Sequence, residues 1–334
     1  MRTVLARRLT STMLALLVSA VVLWWLLADG AGEALVQALA TAHLWPLVLG
    51  SMIAIVIQMI RAWRFAILNA GSMDLPSWTM IGIASKLVLL NFLLPFKLGE
   101  LGFPLMMKRA FGTPFSRGAG ILILCRLLDF GVVAAIILVT AAWLLDPAIH
   151  GWNPWLVSLV GLAVLAGPLL LADLLPWLRR LLVRWPRIAG LAEQLSHGAA
   201  IMHPPGRRLS IFALTLSIWF AHAVIAWLAA IAVMADPGFP SMAMASAASN
   251  LAFALPISGV AGLGPPQAAW ATMLHLAGHD WPLSVTTALL CHGVLLTTLS
   301  LFGAAFWASQ SLRNKPTIDA ATSDQRSATS SGGR

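Results

Sequence analysis

The residues of this sequence that could do chemistry are concentrated in two irregular segments set in apolar sequence. The first reads Asn91-Phe92-Leu93-Leu94-Pro95-Phe96-Lys97-Leu98-Gly99-Glu100. The second runs from Asn250 to Gln267 and contains Pro256, Ser258, Gly259, Gly262, Gly264, Pro265 and Pro266. Pro95 lacks a backbone donor and stops a helix near Leu94. In hydrocarbon the freed carbonyls need partners, so such backbone persists only buried in protein or lining a wet cavity. Lys97 and Glu100 then stand at the mouth or wall of that cavity; the competing reading is a cytoplasmic loop with a solvated Lys–Glu pair. Pro265 and Pro266 suit the first turn of a new helix running from about Gln267 to Ala277. Its N-terminus would aim N–H groups and a positive dipole end at the cavity, which suits an anionic headgroup such as phosphate. A packing turn without ligand is the alternative.

Arg126 and Asp129 lie inside another apolar run. At i, i+3 they share a helix face and can pair. A lone charge at that depth costs at least ~2.5 kcal/mol, so such groups face the bundle interior. The pair is either structural or takes part in binding or gating beside the first irregular segment. Lys86 either snorkels to the interface or faces the cavity. Lys108, Arg109 and Arg117 could attract anionic lipid heads, or be solvated loop charges. His222 and His292 read as packed neutral histidines, and Cys125 and Cys291 as small core residues. No Cys/His/Asp cluster has metal spacing, and no nucleophile elbow, phosphate-binding loop or dinucleotide fingerprint is present. No metal or cofactor and no enzymatic activity are expected.

The elements that must position these residues are membrane helices. The chain of 334 residues is 59% hydrophobic and 10% charged, with mean hydropathy +0.86, against about 25% charged in soluble domains. It has 15 Trp and no Tyr, and most of the Trp fall near the ends of apolar runs, where indoles anchor at the membrane interface. The net charge of +9 is spread over short loops, so nucleic acid is not an expected partner.

Full spans are predicted near 12–28, 44–68, 119–145, 155–175, 209–235 and 283–309, with broken apolar regions at 79–108 and 240–277. The first is read as an uncleaved span, its apolar stretch being long for a signal peptide. Segments 29–43, 146–154, 236–239 and 278–282 carry acids and no Lys or Arg, whereas 1–11, 61–78, 96–118, 176–208 and 313–334 hold 19 of the 21 basic residues. Positive charge marks the cytoplasmic side. Both termini are therefore expected in the cytoplasm of a bacterial inner-membrane protein. With 61–78 and 96–118 on one side, the first broken region must enter and return. The second must do the same from the other face.

The predicted fold is thus an all-α polytopic membrane protein with six full spans and two opposed re-entrant hairpins in an inverted-topology repeat. A single membrane domain covers 1–311, with a first repeat 1–154 and a second repeat 155–311 that contains a cytoplasmic basic loop, 176–208. A disordered cytoplasmic tail covers 312–334.

These motifs resemble the membrane region of lysylphosphatidylglycerol synthase and its stand-alone flippase-like relatives. The resemblance rests on Asn91…Leu94-Pro95-Phe96-Lys97-Leu98-Gly99-Glu100, Lys108-Arg109…Gly112, Arg126-Leu127-Leu128-Asp129, and Leu255-Pro256-Ile257-Ser258-Gly259 followed by Gly262-Leu263-Gly264. It covers about residues 10–310. The family usually has Arg where Lys97 stands, Gly-Gly where Ala261-Gly262 stand, and Glu where Gln267 stands. The Lys97 change loses bidentate phosphate geometry, and the missing carboxylate at 267 weakens a proton-coupled or lysyl-lipid role. The soluble transferase domain of the synthases is not in this sequence, so lipid lysylation is not expected.

The resemblance implies translocation or handling of a membrane lipid, and one branch of relatives is associated with hopanoids. A flippase-like transporter is expected, with Asn91, Pro95, Lys97, Gly99, Glu100, Arg126, Asp129, Asn250, Pro256, Ser258, Gly259, Gly262, Gly264 and Gln267 around an anionic headgroup or polycyclic lipid. The alternatives are an accessory protein of a lipid- or glycan-modifying pathway, partnered by its enzymes, and a lipid-carrier transferase using Glu100 or Asp129.

Overall fold

The computed structural model describes residue 13 and residues 16–28, 30–145, 151–182, 200–254 and 259–313. Every regular element among them is helical: α1 (Leu16–Leu26), α2 (Ala31–Thr41), α3 (Leu44–Ala70), α4 (Trp78–Leu93), a 3-10 segment (Pro95–Leu101), α5 (Gly102–Phe111), α6 (Phe115–Leu144), α7 (Pro154–Leu182), α8 (Pro205–Ala232), α9 (Phe239–Ala254), a short 3-10 turn (Val260–Gly262), α10 (Pro265–Leu276) and α11 (Trp281–Arg313).

Among the described residues α3, α6, α8 and most of α11 (Trp281–Ser309) are long and apolar enough to cross a membrane, and α1 with α2 adds a fifth candidate if that bent pair is one span. At 1.5 Å per residue the 27 residues of α3 reach about 40 Å, beyond the ~30 Å hydrocarbon core. Its outer stripe, Leu44, Val48, Met52, Val56 and Met59, is exposed, as a lipid-facing surface requires. Trp24, Trp45, Trp78, Trp143, Trp155 and Trp307 are exposed as well, and all but Trp307 lie close to a helix end.

Two of the sequence expectations change. Segment 29–43, read as a connector, folds largely as α2, which turns 85° from α1 and packs on α11. The basic loop predicted to begin at residue 176 is instead helical as far as Leu182, the continuation of α7.

The long helices pack in a regular pattern. α3 lies on α8; α4 lies on α11 while α9 lies on α6; α5 lies on α6 while α10 lies on α11. α9 brings Ser241, Ala243, Ala245, Ser246, Ala247 and Ala248 into the interior. Such small side chains let helix backbones approach closely.

α4 and α9 have 16 residues each, about 24 Å, too short to cross the hydrocarbon. After α4 the 3-10 segment leads into α5, which packs back on α4; in the second unit α10, preceded by the described turn residues 259–264, packs back on α9. The Thr113 hydroxyl, in the turn after α5, donates to the Asn69 side-chain carbonyl at 2.8 Å, and Arg117 donates to the Asn69 backbone carbonyl at 2.6 Å. The turns on either side of α4–α5 therefore lie at one end of the bundle. Met242 on α9 and Leu274 on α10 share a buried cluster with Ala229 and Ala230 near the end of α8. The His43 N–H donates to the Ala232 carbonyl there at 2.8 Å, so the second unit opens at the opposite end.

In 61–78 the only basic residues are Arg61 and Arg64, and both sit inside α3 rather than in a loop. The α3–α4 turn, 71–77, carries no positive charge of its own. It shares its end with Lys108, Arg109, Arg117, Arg207 and Arg208 through the Asn69 contacts and through Arg207, which packs against Gly71. Asp236 and Asp280 mark the other end.

Candidate functional site

The tips of the two returning units meet in the interior: the 3-10 segment touches Val260–Gly262. Lys97 has φ +57, a left-handed backbone rare for a side-chain-bearing residue. Its Nζ stands 3.0 Å above the Phe253 ring. Ala261 has φ +56 and Gly262 φ +72. A Cβ at Gly262 would meet the Phe253 ring at 2.6 Å. His292 Nε2 lies 3.1 Å from the Ala261 carbonyl oxygen and donates to it when Nε2 carries the proton. At Gly99 a Cβ would press on the backbone of Leu90 and Asn91 at 2.6–2.7 Å, so the 3-10 segment folds tightly over the end of α4.

Beside these tips is a cavity of about 140 Å³ between α3, α4, α6, α8, α9, α10 and α11. One wall is charged. Arg64, buried, grips Asp129 with two bonds, Nη1 to Oδ1 at 2.6 Å and Nη2 to Oδ2 at 3.0 Å. Its Nη1 also donates to the Thr215 hydroxyl at 3.0 Å, and Trp219 Nε1 donates to Asp129 Oδ1 at 3.2 Å. Asp129 Oδ2 lies 3.9 Å from Arg126 Nη1, and Arg126 Nη2 donates to Glu100. The result is an alternating chain, Arg64–Asp129–Arg126–Glu100, two cations and two carboxylates.

Arg61 and Lys97 line the same cavity outside that chain. The Arg61 guanidinium donates to the neutral Gln58 Oε1 at 3.2 Å. Asn91, Ser246, Ser249, Asn250, His222 and His292 supply neutral polar groups to the wall. Among the described residues Asp129 is the one carboxylate on the lining.

Of the residues singled out from sequence, Asn91, Lys97, Arg126, Asp129 and Asn250 reach the cavity wall. Glu100 acts one step back, on Arg126. Pro95 and Gly99 shape the tip, and Gly259, Gly262 and Gly264 shape the other. Gly259 packs on Ser19, Gly262 on Phe253 and Gly264 on Val22. Pro256 and Ser258 lie outside the described residues.

Arg126 and Asp129 do share a face. The dominant partner of each is nevertheless on another element, Glu100 and Arg64, because those reach with better geometry. Gln267 is buried at 1% exposure and does not line the cavity. Its Oε1 accepts from the Gly264 N–H at 2.7 Å, capping its own helix. Pro266 and Trp270 are what α10 presents to the cavity.

The residues missed from sequence are Arg61, Arg64, Gln58, Thr215 and Trp219. Gln58, Arg61 and Arg64 recur every three residues within an apolar run that continues to Ala70. That spacing marks a polar helix face, and it was the available signal.

Comparison with known proteins agrees with the motifs that frame this cavity. No curated protein matches the chain. A family model, the lysylphosphatidylglycerol synthase TM region, matches residues 12–303, which include both returning units and all of the charged wall. The chain belongs to the lysylphosphatidylglycerol synthase transmembrane-region family.

Proposed function

We propose that the protein is a flippase-like membrane lipid transporter that binds an anionic lipid headgroup in the central cavity and makes no covalent change to it. The observation that carries the reading is the charge of the cavity: four cations, Arg61, Arg64, Lys97 and Arg126, stand against the two carboxylates of Asp129 and Glu100. An uncompensated positive wall inside hydrocarbon suits a ligand that brings negative charge, while the lipid tail stays in the bilayer.

The architecture fits this job as an inverted-topology repeat of six spans and two opposed re-entrant hairpins, with residues 1–154 related to 155–311. The paired packing of α4 on α11 with α9 on α6, and of α5 on α6 with α10 on α11, supports it. Broken helices that meet in the interior are where such folds hold substrate, and rocking one repeat against the other alternates access. The positive end of the bundle then faces the cytoplasm of a bacterial inner membrane, with both termini on that side.

The test is reconstitution in liposomes with a fluorescent anionic lipid and a quencher added outside. The Lys97→Ala, Arg126→Ala double variant should translocate the headgroup at least about tenfold more slowly, since each lost charged hydrogen bond is worth about 1.5–3 kcal/mol. Translocation at the wild-type rate would remove this cavity as the site.

A further inference from the structure

We propose that Arg61 and Lys97 tune the cavity to a lipid phosphomonoester, a headgroup that carries two negative charges, over phosphodiester and aminoacylated headgroups. The inference rests on the headgroup-binding reading above and sharpens it.

The charged wall divides into two parts. In the chain Arg64–Asp129–Arg126–Glu100 each carboxylate is bonded to a guanidinium, and the four charges cancel. Arg61 and Lys97 stand outside it. Arginine stays protonated at any pH a cell meets, and the partner of Arg61 is an uncharged amide. Lys97 sits over a ring face, where the attraction is to a cation. Among the described residues neither Arg61 nor Lys97 has a carboxylate oxygen within 4.0 Å, the reach of an ion pair. The cluster as a whole thus has two more basic groups than carboxylates, an excess left to be matched by a ligand.

A phosphomonoester brings two negative charges near neutral pH, its second ionisation falling near pH 6. A phosphodiester brings one and leaves a buried cation unmatched. An aminoacylated headgroup adds positive charge next to Arg61 and Lys97, and like-charge juxtaposition of this kind excludes a competitor. Further donors are available to the phosphate oxygens: Arg126 Nε is buried with no partner among the described residues, and the hydroxyls of Ser246 and Ser249 lie on the wall.

The experiment uses the full chain in phosphatidylcholine nanodiscs doped in turn with phosphatidate, phosphatidylglycerol and lysylphosphatidylglycerol at pH 7. Protein-bound lipid is counted by native mass spectrometry. Phosphatidate should be retained at least about tenfold over phosphatidylglycerol, the difference expected of one charged contact, and lysylphosphatidylglycerol least of all. Arg61→Gln should level phosphatidate with phosphatidylglycerol, while Arg61→Lys keeps the preference. The wild-type lipid series stands whether or not the variants fold. Equal retention of the monoester and the diester, or preference for the lysyl lipid, overturns this proposal and leaves headgroup binding intact. No retention of any anionic lipid over phosphatidylcholine overturns both. Displacement of phosphatidate by inorganic phosphate at matched concentration shows that the site reads free phosphate, and overturns the lipid assignment.

Discussion

At the residue scale the decisive fact is that Asp129 is shared. It takes two bonds from Arg64, one from Trp219 and a longer contact from Arg126, all within the protein interior. A buried ion pair contributes little net stability compared with apolar packing, but removing one partner strands the other's charge. Asp129→Ala should therefore destabilise the protein by about 3–5 kcal/mol, seen as a large fall in melting temperature in detergent. The double variant Arg64→Met, Asp129→Leu should recover much of that loss while lowering anionic-lipid binding. A double variant as unstable as Asp129→Ala would mean that the pair is needed for folding in its own right. Arg126 and Asp129 were legible in the sequence because a charge within an apolar run has few places to go. Arg61 and Arg64 were not, because they stand near the end of a run, where a charge also reads as the start of a loop. Sequence distance hid the pairing itself: Arg64 and Asp129 are 65 positions apart.

At the element scale the two broken units show how much backbone irregularity the proline and glycine pattern announces. Pro95 stops α4 near Leu94 and the 3-10 segment follows, as the missing donor requires. The proline pair opens α10 as expected. The direction of the helix start was not legible, because Gln267 caps it locally and no sequence rule tells a cap from a ligand contact. Two substitutions at the tips should act with opposite sign. Gly99→Ala places a Cβ against the backbone of Leu90 and Asn91 as well as the Asn91 side-chain oxygen, and because the backbone cannot swing aside it should cost about 1–3 kcal/mol, as overpacking does. Ala261 holds a left-handed conformation at φ +56, which penalises a side-chain-bearing residue by about 1–2 kcal/mol. Ala261→Gly should raise the melting temperature, a gain of about 1 kcal/mol once the added freedom of the unfolded chain is subtracted. This is also a position where the family usually has glycine, so the sequence departure and the strained backbone coincide. A destabilised Ala261→Gly variant would show that the methyl group packs well enough to outweigh the strain.

At the scale of the whole molecule, the six predicted spans and the returning units follow from one question: on which side does each turn lie? The charge count answered it partly from Arg61 and Arg64, which belong to the cavity. The contacts of Asn69 with Thr113 and Arg117 place the same turns together without them. The reading of the first unit as re-entrant therefore no longer depends on a count of loop charges, which is a statistical rule, but on two hydrogen bonds between the turns themselves. It leads to a direct topological test. In a background with Cys125 and Cys291 replaced by alanine, single cysteines at Met73 and Ser116, both exposed, should label from one side of intact membrane vesicles. A cysteine at Asp280, exposed in the turn between α10 and α11, should label from the other. By the positive charge around Lys108, Arg109 and Arg117, the shared side is expected to be the cytoplasm. If Met73 and Ser116 label from opposite sides, α4 and α5 together cross the membrane once, and the proposed inverted relation of the two halves, with a cavity between opposed hairpins, fails. If all three label from one side, the second unit does not open at the far end. Labelling of the first two inside and the third outside is the pattern that the proposed alternating-access path through the charged cavity requires, because a headgroup bound there would need a route to each face.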